Sequence, residues 1–157
     1  MDQFLGTHQN RLDAKGRVSV PASFRAVLRT VEAGNSLILR PSHKYACIEA
    51  WPAPVFAALE RQMREIDLFS ETHDDLAVSI YADAYPLDAD KEGRILLPTL
   101  LVSHANLTEG VVFMGMGRIF QIWDPEAAAR RRTEARERAR TGGLTLPAAA
   151  LSSGGAR

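Results

Sequence analysis

The sequence has almost no cysteine, since Cys47 is the one thiol among 157 residues. A single cysteine cannot form an internal disulfide, and it offers no zinc motif without a partner cysteine. The first ten residues, MDQFLGTHQN, also lack the basic leader and the apolar segment of a secretory signal. We therefore expect a cytoplasmic protein in which Cys47 is a small, half-buried strand residue.

Long hydrophobic runs are absent as well. Stretches such as VVFMGM, residues 111–116, are far shorter than the ~18–20 apolar residues that cross a bilayer. We expect no transmembrane segment and no membrane partner. The composition, 46% hydrophobic and 24% charged, is that of a soluble globular protein that can bury a core.

An excess of charge of either sign is missing too, because 19 basic residues balance 19 acidic ones. No overall positive field attracts the chain to nucleic acid, so such binding must depend on local clusters. Residues 11–29 carry five basic side chains against one acidic (+4), and residues 130–140 carry six arginines against two glutamates (+4). Residues 82–94 carry two basic side chains against four acidic (−2).

Catalytic motifs are the last absence. Ser19 lies in GRVSV rather than in GxSxG, and GMG at 115–117 lies between two strand-like runs, where a hairpin turn is expected. No histidine lies in an HExxH or CxxC setting; the four are His8, His43, His73 and His104. We expect no enzyme, no cofactor, no metal site and no small-molecule substrate.

A repeated stretch is what the sequence does contain. Residues 13–21 read DAKGRVSVP, and 77 positions later residues 90–98 read DKEGRILLP. After each copy come an apolar strand, a short turn and a second strand that ends in Trp. This predicts two copies of one unit, residues 5–53 and 82–125, each ordered strand, turn, strand, short helix, strand, turn, strand. The fold class is then α+β, mainly β.

The remaining segments are predicted to be helical or irregular. Residues 54–81 read as connecting helices, with an apolar stripe from Val55 to Ile66 and a capping box at Thr72, although 76–82 also fits a strand period. Asp124 and Pro125 suit the start of an arginine-rich helix through about Arg140. The rest of 126–157, rich in Gly, Pro, Ser and Ala, is expected to be a mobile tail.

The turn of the first copy has more basic residues than a turn requires. Asp13 and Gly16 suit a type I turn, and strand alternation turns Val18 inward and Arg17 outward. Arg17 can pair with Asp13 and steady the turn, or it can meet guanine in the major groove, which admits a two-stranded ribbon. Both readings are open from the residues alone. Lys15, and Arg11 close by, are placed for phosphates.

These residues also resemble a known family. FLGTHQNRLDAKGRVSVPASFRAVL at 4–28, with ADKEGRILLP at 89–98, is similar to the bacterial MraZ family. The resemblance implies a double-split β-barrel of two SpoVT-AbrB-like repeats with peripheral helices. It also implies a ring-shaped homo-oligomer, associated with the nucleoid, that binds short tandem DNA repeats upstream of its own operon. The resemblance further implies a transcriptional regulator, mostly a repressor, of the division and cell-wall gene cluster.

The resemblance assigns roles by motif. The family's DxxxR signature falls on Asp13 with Arg17 and on Asp90 with Arg94. We therefore expect Arg17, Lys15 and Arg11 to bind DNA with Asp13 orienting the arginine, and Arg94 with Asp90 to play a lesser part. Glu92 stands where the first copy has Lys15. We interpret the first loop as facing DNA and the second, with Leu96 outward, as facing protein.

Two alternatives remain. The repeated fold can be an oligomeric assembly or adaptor module without specific DNA binding, which the balanced charge favours. The helix from Arg130 to Arg140 can be a nucleic-acid arm without sequence preference, or a solvated helix whose Glu and Arg side chains pair along its surface.

Overall fold

The computed structural model describes residues 2–147, which form eight strands, six α-helices and one π-helical turn. The strands are β1 (Thr7–Arg11), β2 (Arg17–Ser19), β3 (Ser36–Pro41), β4 (Ile48–Pro52), β5 (Tyr85–Asp88), β6 (Arg94–Leu96), β7 (Gly110–Gly115) and β8 (Phe120–Trp123). The helices are α1 (Ala22–Thr30), α2 (Ala53–Ala57), α3 (Leu59–Met63), α4 (Glu71–Ala77), α5 (Thr99–His104) and α6 (Pro125–Thr141). The π-helical turn is Val78–Ala82.

The order of elements is the same in both copies. The first runs β1, β2, α1, β3, β4, and the second runs β5, β6, α5, β7, β8. Pro21 and Pro98 precede α1 and α5 with similar backbone angles, φ near −55° and ψ near 140°. The mainly-β, α+β class predicted from the sequence is confirmed by this antiparallel arrangement.

The two copies exchange strands. The six-stranded sheet has the order β1-β7-β8-β4-β3-β5, so the first strand of each copy pairs with the third strand of the other. The second strands, β2 and β6, pair with each other in a separate two-stranded ribbon. Hydrogen bonds leave β1 and β5 as the outer strands of the larger sheet. Residues 1–125 accordingly cluster as one compact unit.

Aromatic rings from both copies meet in the core. Phe4 lies edge-on to Phe24 of α1 and to Phe120 of β8, with ring centroids 5.2 and 5.0 Å apart. The Phe24 and Phe120 rings are themselves 5.0 Å apart. Such contacts add about 0.5–1.5 kcal/mol per pair to the burial of the rings. The core therefore fixes α1 of the first copy against β8 of the second.

The connecting segment is helical, but it differs in detail from the expectation. Most of the predicted stripe lies on two short helices, α2 and α3, which meet at Ala58, whereas Ile66 lies beyond the end of α3. The cap of α4 is Ser70 rather than Thr72, since the Ser70 hydroxyl accepts the N–H of His73 at 3.0 Å. The ambiguous segment 76–82 is helical and ends in the π-helical turn.

The last helix follows its prediction. α6 begins at Pro125 and ends at Thr141, one residue beyond the expected end. The described residues after Pro125 belong to a second unit, and the tail predicted beyond α6 lies largely outside the described residues. Between residues 2 and 147, each helix is too short or too polar to cross a bilayer.

Candidate functional site

The loop between β1 and β2 is organised by one carboxylate. Asp13 Oδ1 accepts the backbone N–H groups of Lys15 and Arg17, both at 2.9 Å. Its Oδ2 accepts Arg17 Nε, also at 2.9 Å. Gly16 completes the turn with φ of 84°, a conformation that glycine adopts without strain. Asp13 thus fixes both the loop and the direction of the guanidinium.

The loop between β5 and β6 repeats this geometry. Asp90 Oδ1 accepts the N–H groups of Glu92 and Arg94 at 2.9 Å, and Oδ2 accepts Arg94 Nε at 3.0 Å. The N–H of residue 17 or 94 contributes most to holding the pKa of Asp13 and of Asp90 below 3.8, and the guanidinium adds to it. Both carboxylates are therefore charged at neutral pH and accept these bonds.

The two arginines differ at their outer ends. Arg94 Nη2 forms an ion pair with Glu92 Oε2 at 3.1 Å. Within residues 2–147, Arg17 forms an ion pair with Asp13 alone, through Nε, and its two terminal nitrogens have no hydrogen-bond partner. About a third of each side chain is exposed, 32% for Arg17 and 30% for Arg94. The fork of Arg17 is free, whereas that of Arg94 is partly engaged.

The ribbon of β2 and β6 carries both loops. Its register pairs Arg17 with Leu96, Val18 with Ile95, and Ser19 with Arg94. Val18 and Ile95 are each 1% exposed and anchor the inner face, and burying such a side chain contributes about 1.5–3 kcal/mol. Opposed residues of an antiparallel pair share a face, so the outer face presents side chains from both copies.

This register changes the interpretation of the second loop. The sequence suggested that Leu96, as part of the second copy, faces protein while Arg17 faces DNA. Leu96 is 60% exposed and lies directly across the ribbon from Arg17. The two copies therefore contribute to one outer surface rather than to two separate ones.

The space beside each loop is also different. A groove of about 560 Å³ opens beside Gly16, bounded by Lys15, Leu96 and Val102 among other residues. At the second loop Arg25 of α1 lies across Gly93, and its Nη1 is 3.4 Å from the carbonyl oxygen of Glu92. The repeat shift of 77 places Val102 at the position of Arg25. Arg25 therefore fills the space beside the second loop, whereas the shorter Val102 leaves the equivalent space beside the first loop open.

The other predicted basic residues lie at the edge of this surface. Lys15 is exposed at the tip of the first loop. Arg11 lies at the end of β1 and pairs with Glu109 at 3.2 Å, with both side chains about 80% exposed. Exposed ion pairs of this kind contribute little free energy, so the Arg11 guanidinium can exchange Glu109 for another anion. The structure brings Asp13, Lys15 and Arg17 into one loop and leaves Arg11 beside it.

Sequence reasoning missed two contributors. Arg25 appeared as one more basic residue of α1, although its replacement by Val102 in the second copy marked a difference between the loops. Asn10 donates its Nδ2 to the Ser19 carbonyl at 2.6 Å and ties the ribbon to β1. Nothing in the spacing of Asn10 indicated that contact.

A metal centre has no support in the part of the chain that the structure describes. No group of three His, Cys, Asp or Glu side chains there is placed to hold an ion. Cys47 is fully buried just before β4, rather than half-buried as predicted.

Two copies of one unit that share a six-stranded sheet and a two-stranded ribbon define a duplicated, mainly-β protein. The family model described as "MraZ protein, putative antitoxin-like" matches residues 3–78 and 80–137, which extends into α6. The chain belongs to the MraZ family.

Individual relatives give the same result. The chain is 62% identical over 158 residues to the transcriptional regulator MraZ of Gluconacetobacter diazotrophicus, covering 99% of each protein. It is 64% identical over 143 residues to that of Gluconobacter oxydans, covering 90% of this chain and 87% of the relative. With that of Pelagibacter ubique it shares 40% identity over 136 residues, 87% of each. These names confirm the prediction of a transcriptional regulator rather than an enzyme.

Proposed function

We propose that the chain regulates transcription by binding duplex DNA sequence-specifically through the outer face of the β2–β6 ribbon. The observation that carries this proposal is the free fork of Arg17, held in direction by Asp13 through Nε alone. A guanidinium with two unengaged nitrogens matches the O6 and N7 acceptors of guanine, and a two-stranded ribbon fits the major groove. Arg17 reads a base, and Asp13 is its positioning residue.

The rest of the loop supplies contacts that do not depend on sequence. Lys15, exposed at the tip, and Arg11, at the edge, face the phosphates on either side of the groove. Such contacts fix the register of a protein on the duplex and carry most of its salt dependence.

Arg94 plays a lesser part because Glu92 engages one of its terminal nitrogens and adds a negative charge beside it. The two arginines lie on opposite strands of the ribbon, offset by two residues. That offset is roughly 6–7 Å along the ribbon, or about two base-pair steps. Arg94 with Asp90 therefore contributes a second, weaker contact nearby rather than an equal one.

Assembly and location complete the proposal. One free fork in each subunit gives a weak contact, and several subunits in a ring make neighbouring contacts on tandem repeats effectively intramolecular. We infer a ring-shaped homo-oligomer in the cytoplasm, associated with the nucleoid, that acts mostly as a repressor. Its operator is a set of short tandem repeats upstream of its own operon, which includes the division and cell-wall genes. Residues 5–53 and 82–125 are its two SpoVT-AbrB-like repeats.

A second candidate is an assembly or adaptor module without specific DNA binding. The balanced charge of the chain and the closed second loop favour it. Under that function the outer face of the ribbon, with exposed Leu96, would contact another protein.

Fluorescence anisotropy with two duplexes separates these candidates. One duplex carries the DNA upstream of the chain's own gene and the other carries the same bases in scrambled order. We expect tighter binding to the first, and a loss of affinity between 50 and 200 mM salt of about 10³-fold or more if six or more phosphates are contacted. An absence of binding to both duplexes at 50 mM salt would favour the adaptor.

A further inference from the structure

The helix α6 concentrates positive charge that the ribbon does not use. Residues 130–140 carry six arginines against two glutamates, a charge of +4, while the whole chain is neutral. Like charges crowded on one helix repel each other unless side-chain ion pairs or a partner of opposite charge offset the repulsion. The distribution of its arginines shows which of these applies.

Three arginines form a stripe at intervals of four residues. Arg132, Arg136 and Arg140 are all exposed, and neighbours in the stripe lie about 40° apart around the helix and about 6 Å apart along it. Like charges at this spacing repel each other and destabilise a helix. An isolated, solvated helix gains nothing from such a stripe.

The glutamates neutralise only the last arginine of the stripe. Glu134 lies 3.9 Å from Arg138, and Glu137 lies 3.0 Å from Arg140. In the described residues, 2–147, neither Arg132 nor Arg136 forms an ion pair. Within residues 2–147, the repulsion between Arg132 and Arg136 is therefore not offset by an ion pair.

We propose that the stripe Arg132–Arg136–Arg140 is a second DNA-binding surface, which contacts successive phosphates of the backbone and reads no bases. The stripe spans about 12 Å, a length over which one DNA strand presents three to four phosphates. Arginine is suited to this partner because its planar fork binds phosphate through two parallel hydrogen bonds. This inference rests on the proposed function, since it assumes that the ribbon brings the duplex to the protein.

Two double variants of the full chain test the stripe at equal charge. Arg132→Gln with Arg136→Gln removes two stripe arginines. The matched control, Arg130→Gln with Arg138→Gln, removes the same charge from another side of α6, where Arg138 faces Glu134. Glutamine is a good helix former, and circular dichroism checks that α6 persists in both.

Binding is measured by fluorescence anisotropy on the upstream and scrambled duplexes between 50 and 200 mM salt. We expect the stripe variant to lose affinity by the same factor on both duplexes. The slope of log affinity against log salt should be shallower by about 1.8 for each α6 helix that contacts the duplex, because two phosphate contacts are lost. The control variant should keep a slope close to that of the wild type. Equal losses in both variants, no loss in either, or a loss confined to the upstream duplex would each overturn the proposal.

The ribbon variant Arg17→Ala distinguishes a failure of the proposed function from a failure of the stripe. If it abolishes the preference for the upstream duplex while the stripe variant binds as wild type does, the proposed function stands and the stripe fails. If the wild type binds neither duplex, both fail.

Discussion

Replacing Arg17 by alanine tests whether its fork reads a base. The change removes a guanidinium whose terminal nitrogens are free, and it leaves the backbone bonds from residues 15 and 17 to Asp13 in place. A bidentate contact between arginine and guanine is worth about 1–3 kcal/mol of discrimination. At about 1.4 kcal/mol per tenfold, we expect roughly 5- to 140-fold weaker binding for each engaged site.

The assay is fluorescence anisotropy on a duplex that holds a single operator repeat, so that losses at several subunits do not multiply. Arg17→Lys keeps the charge without the planar fork and should lose most of the preference for the operator while keeping its affinity for scrambled DNA. Lys15→Ala should weaken both duplexes equally and make the salt dependence shallower. Arg94→Ala should cost less than Arg17→Ala, because Glu92 already engages Arg94.

Two results would refute the reasoning. Full affinity of Arg17→Ala for the operator would leave the guanidinium with a purely structural role beside Asp13. Equal losses of Arg17→Ala on operator and scrambled DNA would make it a phosphate contact. A thermal melt of each variant shows whether a loss of binding follows from unfolding instead.

The remaining predictions concern the loops themselves. Gly16 has a left-handed φ of 84°. Replacing it by alanine should cost about 1–2 kcal/mol of folding free energy, or roughly 2–8 °C in melting temperature for a chain of this size. Gly93→Ala should lower the melting temperature more than Gly16→Ala does, since the new Cβ would lie 2.6 Å from Arg25 Cδ and displace that side chain. Equal melting temperatures of these two variants would contradict a role for Arg25 in closing the second loop. The carboxyl of Asp13 should titrate below 3.8 by NMR, and its stabilisation of the loop should be complete above that pH and be lost as the pH falls through its lowered pKa. Because the N–H of residue 17 contributes most, Arg17→Ala should leave that pKa low, and a return to 3.8 would mean that the guanidinium dominates.

The local structure around the loops followed from the sequence because it depends on neighbours in the chain. Asp13, Gly16 and the alternation from Arg17 to Val20 specify a turn and a two-faced strand through their own backbone preferences. Pro21 sets the start of α1 in the same way. The hairpin at 115–117 and both ends of α6 were also anticipated for such local reasons.

Contacts between distant segments were not predictable in this way. The pairing of β1 with β7 and of β3 with β5 depends on how two apolar faces pack, and each strand pattern alone fits several partners. Arg25 reaches Glu92 across 67 residues, and Leu96 meets Arg17 across 79. The separation of the chain into a reading copy and an assembling copy stays a prediction, although the ribbon joins both copies on one face.

Holding both copies in one polypeptide frees the two loops from symmetry. A homodimer built from identical halves must present two equal loops, and its preferred DNA sites tend to be palindromic. Here one loop carries Lys15 and an open groove while the other carries Glu92 and a covering Arg25. Such a pseudo-dimer has a polarity. Under the proposed function, that polarity would suit operators arranged head to tail in direct repeats rather than inverted ones.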